Sequence, residues 1–205
     1  MRKTNEFNLI VVGVGGQGSV LASHIVAEAA VSKGMKARVG ETFGAAQRGG
    51  KVHSHVRIGK DVYGPLCMEE SLDVLLGCEP NEALRLAVKY SGPDSTIITN
   101  TRPIPSMDAN IGADKYPDVE AVLAGLRRLS KRVIAFDATE LAVKSGSDRT
   151  MNVVLLGALA ATGLLPYDAE ELRLAIRARV PSATVDTNLK AFDLGYAKCK
   201  ELSKK

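Results

Sequence analysis

Residues 13–18, Gly-Val-Gly-Gly-Gln-Gly, constrain this chain more than any other stretch. Phe7 to Val12 before them is a short apolar run, which reads as a buried strand. Ser19 to Lys33 after them carries Leu21, Ile25, Val26, Ala29 and Ala30 at helical spacing, and Gly34 ends that helix. Lys36 to Glu41 reads as a second strand. Strand, glycine turn, helix and strand make a βαβ unit, which predicts parallel pairing of the two strands. Glycines permit a tight turn and close backbone approach, and the free amides of a helix N-terminus attract a phosphate or other anion. Three readings of Gly13, Gly15, Gly16, Gln17 and Gly18 stand open: contact with a phosphate or nucleotide, close packing of strand on helix, and contact with a partner subunit. Gln17 suits any of them. Glu41 stands about where a ribose-binding acid would lie. A free-standing NAD(P)- or flavin-binding oxidoreductase is therefore the alternative enzyme class, and a non-catalytic scaffold the alternative binding class.

The rest of the chain keeps alternating. Lys51 to Gly59 has Val52, Ser54, Val56 and Ile58 on one face and Lys51, His53, His55 and Arg57 on the other, the period of a half-exposed strand. Further strands are expected at Asp73 to Cys78, Ser95 to Thr99 and Arg132 to Asp137. Helices are expected at Asn81 to Tyr90, Asp118 to Ser130, Asn152 to Thr162, Asp168 to Val180 and Thr187 to Ser203. Asn100 to Pro117, with three prolines, reads as an irregular excursion. The pattern predicts a three-layer α/β/α fold with a mainly parallel, mixed sheet, a Rossmann-like first βαβ and a helical C-terminal third. Residues 1–205 are expected to form a single domain, long enough to need no disulfide or metal staple.

Composition removes several classes. Aromatic residues are 4% of the chain and Trp is absent, so the core is aliphatic and bases have few rings to stack on. A net charge of +4 is mild and partly sits in the basic C-terminal tail, so no nucleic-acid partner is expected. The longest apolar stretch, Val153 to Leu165, falls short of the roughly 20 residues a membrane span needs and reads as a buried helix. No signal-peptide pattern opens the chain. Cys67, Cys78 and Cys199 lack CxxC spacing and number fewer than the roughly four thiolates of an iron–sulfur cluster. Reduced cysteines fit a cytoplasmic protein.

The second glycine loop, Gly44-Ala45-Ala46-Gln47-Arg48-Gly49-Gly50, is the more unusual one. A planar guanidinium on a sharply bending backbone suits a carboxylate or phosphate. The loop follows the second strand, so both glycine loops are expected at the carboxyl edge of the sheet, where open α/β sheets bind ligands. The motifs GVGGQG (13–18), ETFGAAQRGGKVHSHVRIG (41–59) and EPNEALR (79–85) together resemble the gamma domain of 2-oxoacid:ferredoxin oxidoreductases, most of all the stand-alone small subunit of the indolepyruvate type. The likeness is dense over 9–100 and continues in arrangement to about 195.

The resemblance implies a subunit, inactive alone, of an enzyme that oxidatively decarboxylates a 2-oxoacid to an acyl-CoA and reduces ferredoxin. Thiamine diphosphate, its magnesium and the iron–sulfur clusters would sit on a large partner subunit, through which ferredoxin is reached. This chain would bind no cofactor tightly. Alone, it could pair with a second copy. The resemblance places the chain beside the active cavity and the coenzyme A route. The residues that carry it are Gly15, Gly16, Gln17, Gln47, Arg48 and Gly49, and with Gly13, Gly18 and Gly50 they are the candidate binding residues. Arg48 is the one catalytic candidate.

Other residues read more plainly. His53 and His55 have metal-compatible spacing but no third ligand nearby, so an interface or cavity role, or a plain exposed face, is favoured and no metal is expected. His24 reads as a packing histidine. Glu79 and Glu82 around Pro80 suit a helix start, or contact with Arg85 or the first glycine loop, and Asp137 suits a helix cap or a ligand. Arg173 and Arg177 are expected to face solvent or a partner.

Overall fold

The computed structural model describes residues 6–43, 50–104 and 116–204. Its strands are β1 Glu6–Val14, β2 Ala37–Phe43, β3 Lys51–Gly59, β4 Val74–Gly77, β5 Thr96–Asn100 and β6 Arg132–Phe136. They form one sheet in the order β2-β3-β1-β4-β5-β6. The helices among the described residues are α1 Ser19–Ser32, α2 Pro80–Tyr90, α3 Val119–Leu129, α4 Ala138–Ser145, α5 Met151–Ala161, α6 Ala169–Arg179 and α7 Val185–Leu202.

β1, β4, β5 and β6 pair in parallel, each crossover carrying helix, as parallel pairing requires. Successive residues of β1 point to opposite faces, Leu9 and Val11 to one and Ile10 and Val12 to the other. Both faces are buried, which is why the strand is apolar without a break. α1, α5, α6 and α7 cover the first face, while α2 and α3 cover the second with Leu86, Leu123 and Leu126. The expected three-layer fold and its helical C-terminal third are present.

Two expectations fail. β1 and β2 do not pair. β3 lies between them, antiparallel to both, with Val14 opposite Lys51 and Phe43 opposite Val52. The few residues between β2 and β3 suffice for an antiparallel return but not for a parallel crossover, and the returning strand takes the place beside β1. β2 still runs in the direction of β1, so the carboxyl ends of both strands share one edge. β3 is also not half-exposed. It has strands on both sides, and the segment 60–72 crosses its second face, so that His55 is only 1% exposed. A period of two reports which side chains share a face, not whether that face is wet.

α5 is buried nearly all round, as its apolar stretch foretold, and no described helix is long and apolar enough to cross a membrane. α5 meets α7 where Gly157 faces the Phe192 backbone and Gly195 faces the Val154 backbone. Arg173 is half-buried and Arg177 exposed. The Arg173 guanidinium binds the Asp193 carboxylate on α7 and lies over the Phe192 ring, 5.6 Å from its centroid.

Candidate functional site

The helices that leave β1 and β4 go to opposite faces: α1 leads towards β2, α2 towards β5. Neighbouring strands whose connections part in this way open a crevice at their carboxyl ends, the usual ligand position in an open α/β sheet. On this edge the first glycine loop faces the β4–α2 junction.

The glycine loop is built by contacts reaching in from three elements. Gln17 Oε1 accepts a hydrogen bond from the Val14 N–H at 2.7 Å, and Gln17 Nε2 donates to the Cys78 carbonyl at 3.1 Å. Both ends of this amide are thus engaged inside the protein, and the side chain ties β1 to β4 across the crevice floor. Gly16 has φ of 103° and Gly18 φ of 76°, left-handed conformations that favour glycine. A Cβ on Gly16 would meet nothing within 4 Å, so the loop there is open, whereas a Cβ on Gly18 would lie 2.5 Å from Asn152 Nδ2. Asn152, at the start of α5 and buried, donates to the Gly18 carbonyl at 3.0 Å.

Gly18 caps α1 without a side-chain acceptor, and the first turn of α1 holds no acid. Its leading amides are therefore left for another acceptor. α2 and α4 begin on the same edge but supply their own carboxylates. Glu79 Oε2 accepts from the Glu82 N–H at 2.8 Å, and Asp137 Oδ1 accepts from the Glu140 N–H at 2.8 Å. The expected caps at Glu79 and Asp137 are both formed. Arg102 reaches the other Asp137 oxygen at 2.8 Å. Burial opposes the Asp137 charge, but the Glu140 amide and the Arg102 guanidinium hold its carboxyl below the usual range.

Glu79 is 1% exposed, and burial pushes its carboxyl up. Hydrogen bonds from the Tyr116 hydroxyl and the Glu82 and Ile104 amides offset part of that rise. Glu82, also buried, accepts two hydrogen bonds from Arg85, at 2.8 and 2.6 Å. Asn100, at the end of β5, donates to the Cys78 carbonyl at 3.2 Å and accepts from the Ala138 amide at 2.9 Å. Sequence reasoning missed Asn100, Asn152 and Tyr116. A buried amide ending an apolar strand, as in Thr-Ile-Ile-Thr-Asn, was the available signal for Asn100. Asn152 and Tyr116 offered none, because their partners are 134 and 37 residues away.

The second glycine loop meets the first through backbone. The Gly15 N–H donates to the Gly50 carbonyl at 2.8 Å. Gln47, Arg48 and Gly49 lie outside the described residues. Glu41 Oε1 and His24 Nε2 lie 2.6 Å apart in a hydrogen bond, so His24 stands on the rim of α1 and not in core packing.

His53 and His55 lie edge to face, with ring centroids 5.3 Å apart. His55 Nδ1 accepts from the Cys67 amide at 3.1 Å, and its ring meets Tyr90. Burial, then the neighbouring His53 and Lys89, bring the His55 pKa down to about 4. Burial, Arg85 and Lys89 lower that of His53 as well. No group of three or more His, Cys, Asp or Glu among the described residues is placed to hold a metal ion. Burial pushes the Cys67 and Cys78 thiols up to about 12, so neither is a thiolate at neutral pH.

Fold and crevice together define a three-layer α/β protein whose carboxyl edge leaves the start of α1 with neither a side-chain cap nor an acid in its first turn. The chain belongs to the pyruvate ferredoxin/flavodoxin oxidoreductase family, whose model matches residues 8–198. It is 42% identical over 198 residues to the indolepyruvate oxidoreductase subunit IorB of Pyrococcus horikoshii, covering 96% of this chain and 98% of that one. Among solved structures it resembles the gamma subunit of a keto/oxoacid ferredoxin oxidoreductase from Geobacter sulfurreducens, with a TM-score of 0.69, 25% identity and coverage of 95% and 99%. The same fold recurs inside the 2-oxoglutarate:ferredoxin oxidoreductase of Magnetococcus marinus, a structure holding 2-oxoglutarate, coenzyme A and succinyl-CoA. There the TM-score is 0.73 and the identity 21%, and the match covers 99% of this chain and 32% of that longer one.

Proposed function

We propose that this chain is the small subunit of an indolepyruvate-type 2-oxoacid:ferredoxin oxidoreductase and that it binds an anionic group of coenzyme A or of the oxoacid at the carboxyl edge of β1. The reaction joins the acyl part of an aryl pyruvate to coenzyme A, releases carbon dioxide and passes electrons to ferredoxin. A larger subunit holds thiamine diphosphate, magnesium and the iron–sulfur clusters, and thiamine diphosphate supplies the carbanion chemistry. The present chain, a single domain in this reading, contributes binding and orientation.

The carrying observation is the Gly15–Gly50 hydrogen bond, which brings the two glycine loops to one edge beside an α1 N-terminus with no carboxylate of its own. The open space at Gly16 leaves room for a ligand to approach the backbone. Gln17 and Asn152 hold the loop in the conformation that presents the leading amides of α1, so they are positioning residues. Arg48, two positions before Gly50 in the sequence, is the guanidinium we propose for this anion.

Arg48→Ala in the assembled complex is the test. The apparent constant for coenzyme A or for the oxoacid should rise about tenfold or more, as expected when a charge-assisted contact of roughly 1.5–3 kcal/mol is lost. Unchanged constants for both would remove the anion role from this edge.

A further inference from the structure

We infer that the exposed apolar loop around Tyr63, Leu66 and Met68 is the surface by which this chain docks onto its larger subunit, an inference that rests on the function proposed above. α1, α5, α6 and α7 cover the first face of the sheet, but on the second face α2 and α3 lie over the β1–β6 half. Over β2 and β3 that second face is crossed by the segment 60–72. Pro65 and Leu66 lie against β2 there, within 3.4 Å of where a Cβ on Gly40 would stand.

This segment is fastened at many points. Val62, Cys67 and Leu72 are buried. Arg57 donates to the Gly64 carbonyl at 3.0 Å, the Cys67 amide to His55 at 3.1 Å, and the Ser71 hydroxyl to the Met68 carbonyl at 2.6 Å. Between these anchors Tyr63 is 79% exposed, Leu66 59% and Met68 74%. A third of the nine large hydrophobic side chains that stand exposed among the described residues thus falls within six positions. A rigid loop that turns an aromatic ring, a leucine and a methionine outward has the composition of an interface core, and it orders little on binding.

Two observations select the occupant. The same fold forms 32% of a longer chain in the Magnetococcus enzyme, so this architecture also occurs joined to further polypeptide. The surface is also continuous with the candidate site. Lys89 on α2 reaches Glu69 of the loop at 3.6 Å, and the His55–His53 pair leads along β3 towards Lys51, next to Gly50. A polypeptide seated on the loop and on the exposed Arg85, Val88 and Lys89 stripe of α2 therefore reaches the edge where the two glycine loops meet.

The test compares Tyr63→Ser/Met68→Ser with Val31→Ser/Leu174→Ser, a control pair on α1 and α6, in binding to the thiamine- and iron–sulfur-bearing subunit by calorimetry. Both variants should keep the wild-type circular dichroism. Loss of at least tenfold in affinity for the loop variant alone supports the docking surface. Wild-type affinity in the loop variant, or equal loss in both variants, overturns it while leaving the proposed function standing. Failure of the wild-type chain itself to bind that subunit overturns both. A wild-type homodimer in sedimentation that the loop substitutions dissociate would assign the loop to a second copy and refute the proposal.

Discussion

His55 makes stability depend on pH in a way that can be worked from its surroundings. Its ring is sealed between Tyr90 and the 60–72 segment, accepts a hydrogen bond from Cys67 at Nδ1, and faces His53 and the Lys89 ammonium. A proton on Nδ1 would break the Cys67 bond and bury a charge beside others. The folded pKa of about 4 therefore lies below the ordinary 6.5. Between these two values the unfolded chain binds the proton and the folded chain does not, so this contribution is complete above pH 6.5 and is lost as pH falls towards 4. At about 1.4 kcal/mol per pH unit the loss reaches about 3 kcal/mol, a large share of the roughly 5–15 kcal/mol that holds a domain folded. His55→Asn keeps an acceptor near Nδ1 and removes the titration. Urea unfolding of wild type and variant at steps from pH 7.5 to 4 should show their stability difference drifting against the wild type by about 3 kcal/mol, with most of the change between pH 6 and 4.5. Repeating the pair on a His53→Asn background removes the neighbouring imidazole from the comparison. A difference that stays flat with pH would refute the reasoning.

The remaining predictions concern packing and the glycine loop. Gly195→Ala would place a Cβ 1.8 Å from the Val154 carbonyl oxygen, so α7 must move off α5, and thermal unfolding should show a loss of about 1–3 kcal/mol or more. Gln17→Leu leaves the Val14 amide and the Cys78 carbonyl without their side-chain partner, and should cost about 1–3 kcal/mol in denaturant unfolding while weakening the anion site in the assembled enzyme.

The sequence made the strands and helices legible because the apolar periods are clean. β1 is flanked by parallel and antiparallel neighbours and buried on both faces, so its run of Leu9, Ile10, Val11 and Val12 has one reading. The order of the strands was not legible to the same depth. A βαβ pattern states that β1 and β2 run the same way, and they do. It does not state that the slot between them stays empty, and the short return after Phe43 let β3 fill it. His55 shows the same limit: its place on the alternating face followed from spacing, but its burial depends on a loop whose own signal is Val62, Cys67 and Leu72 turned inward among exposed neighbours.

At the site, residue type was legible and division of labour was not. Gln17 suited a ligand, packing or a partner equally, and its amide is shared between Val14 and Cys78. Glu79 read as a cap, and it also receives the Tyr116 hydroxyl from the far side of the excursion after β5. These two details give the edge its polarity. The N-terminus of α2 is occupied by its own buried carboxylate and would repel a second anion. That of α1 is closed by Gly18, braced by Asn152, and offers amides with no acid of its own nearby. Under the proposed function, an anion at the β1–β4 crevice should therefore bind on the α1 side, where the Gly15 amide meets the Gly50 carbonyl.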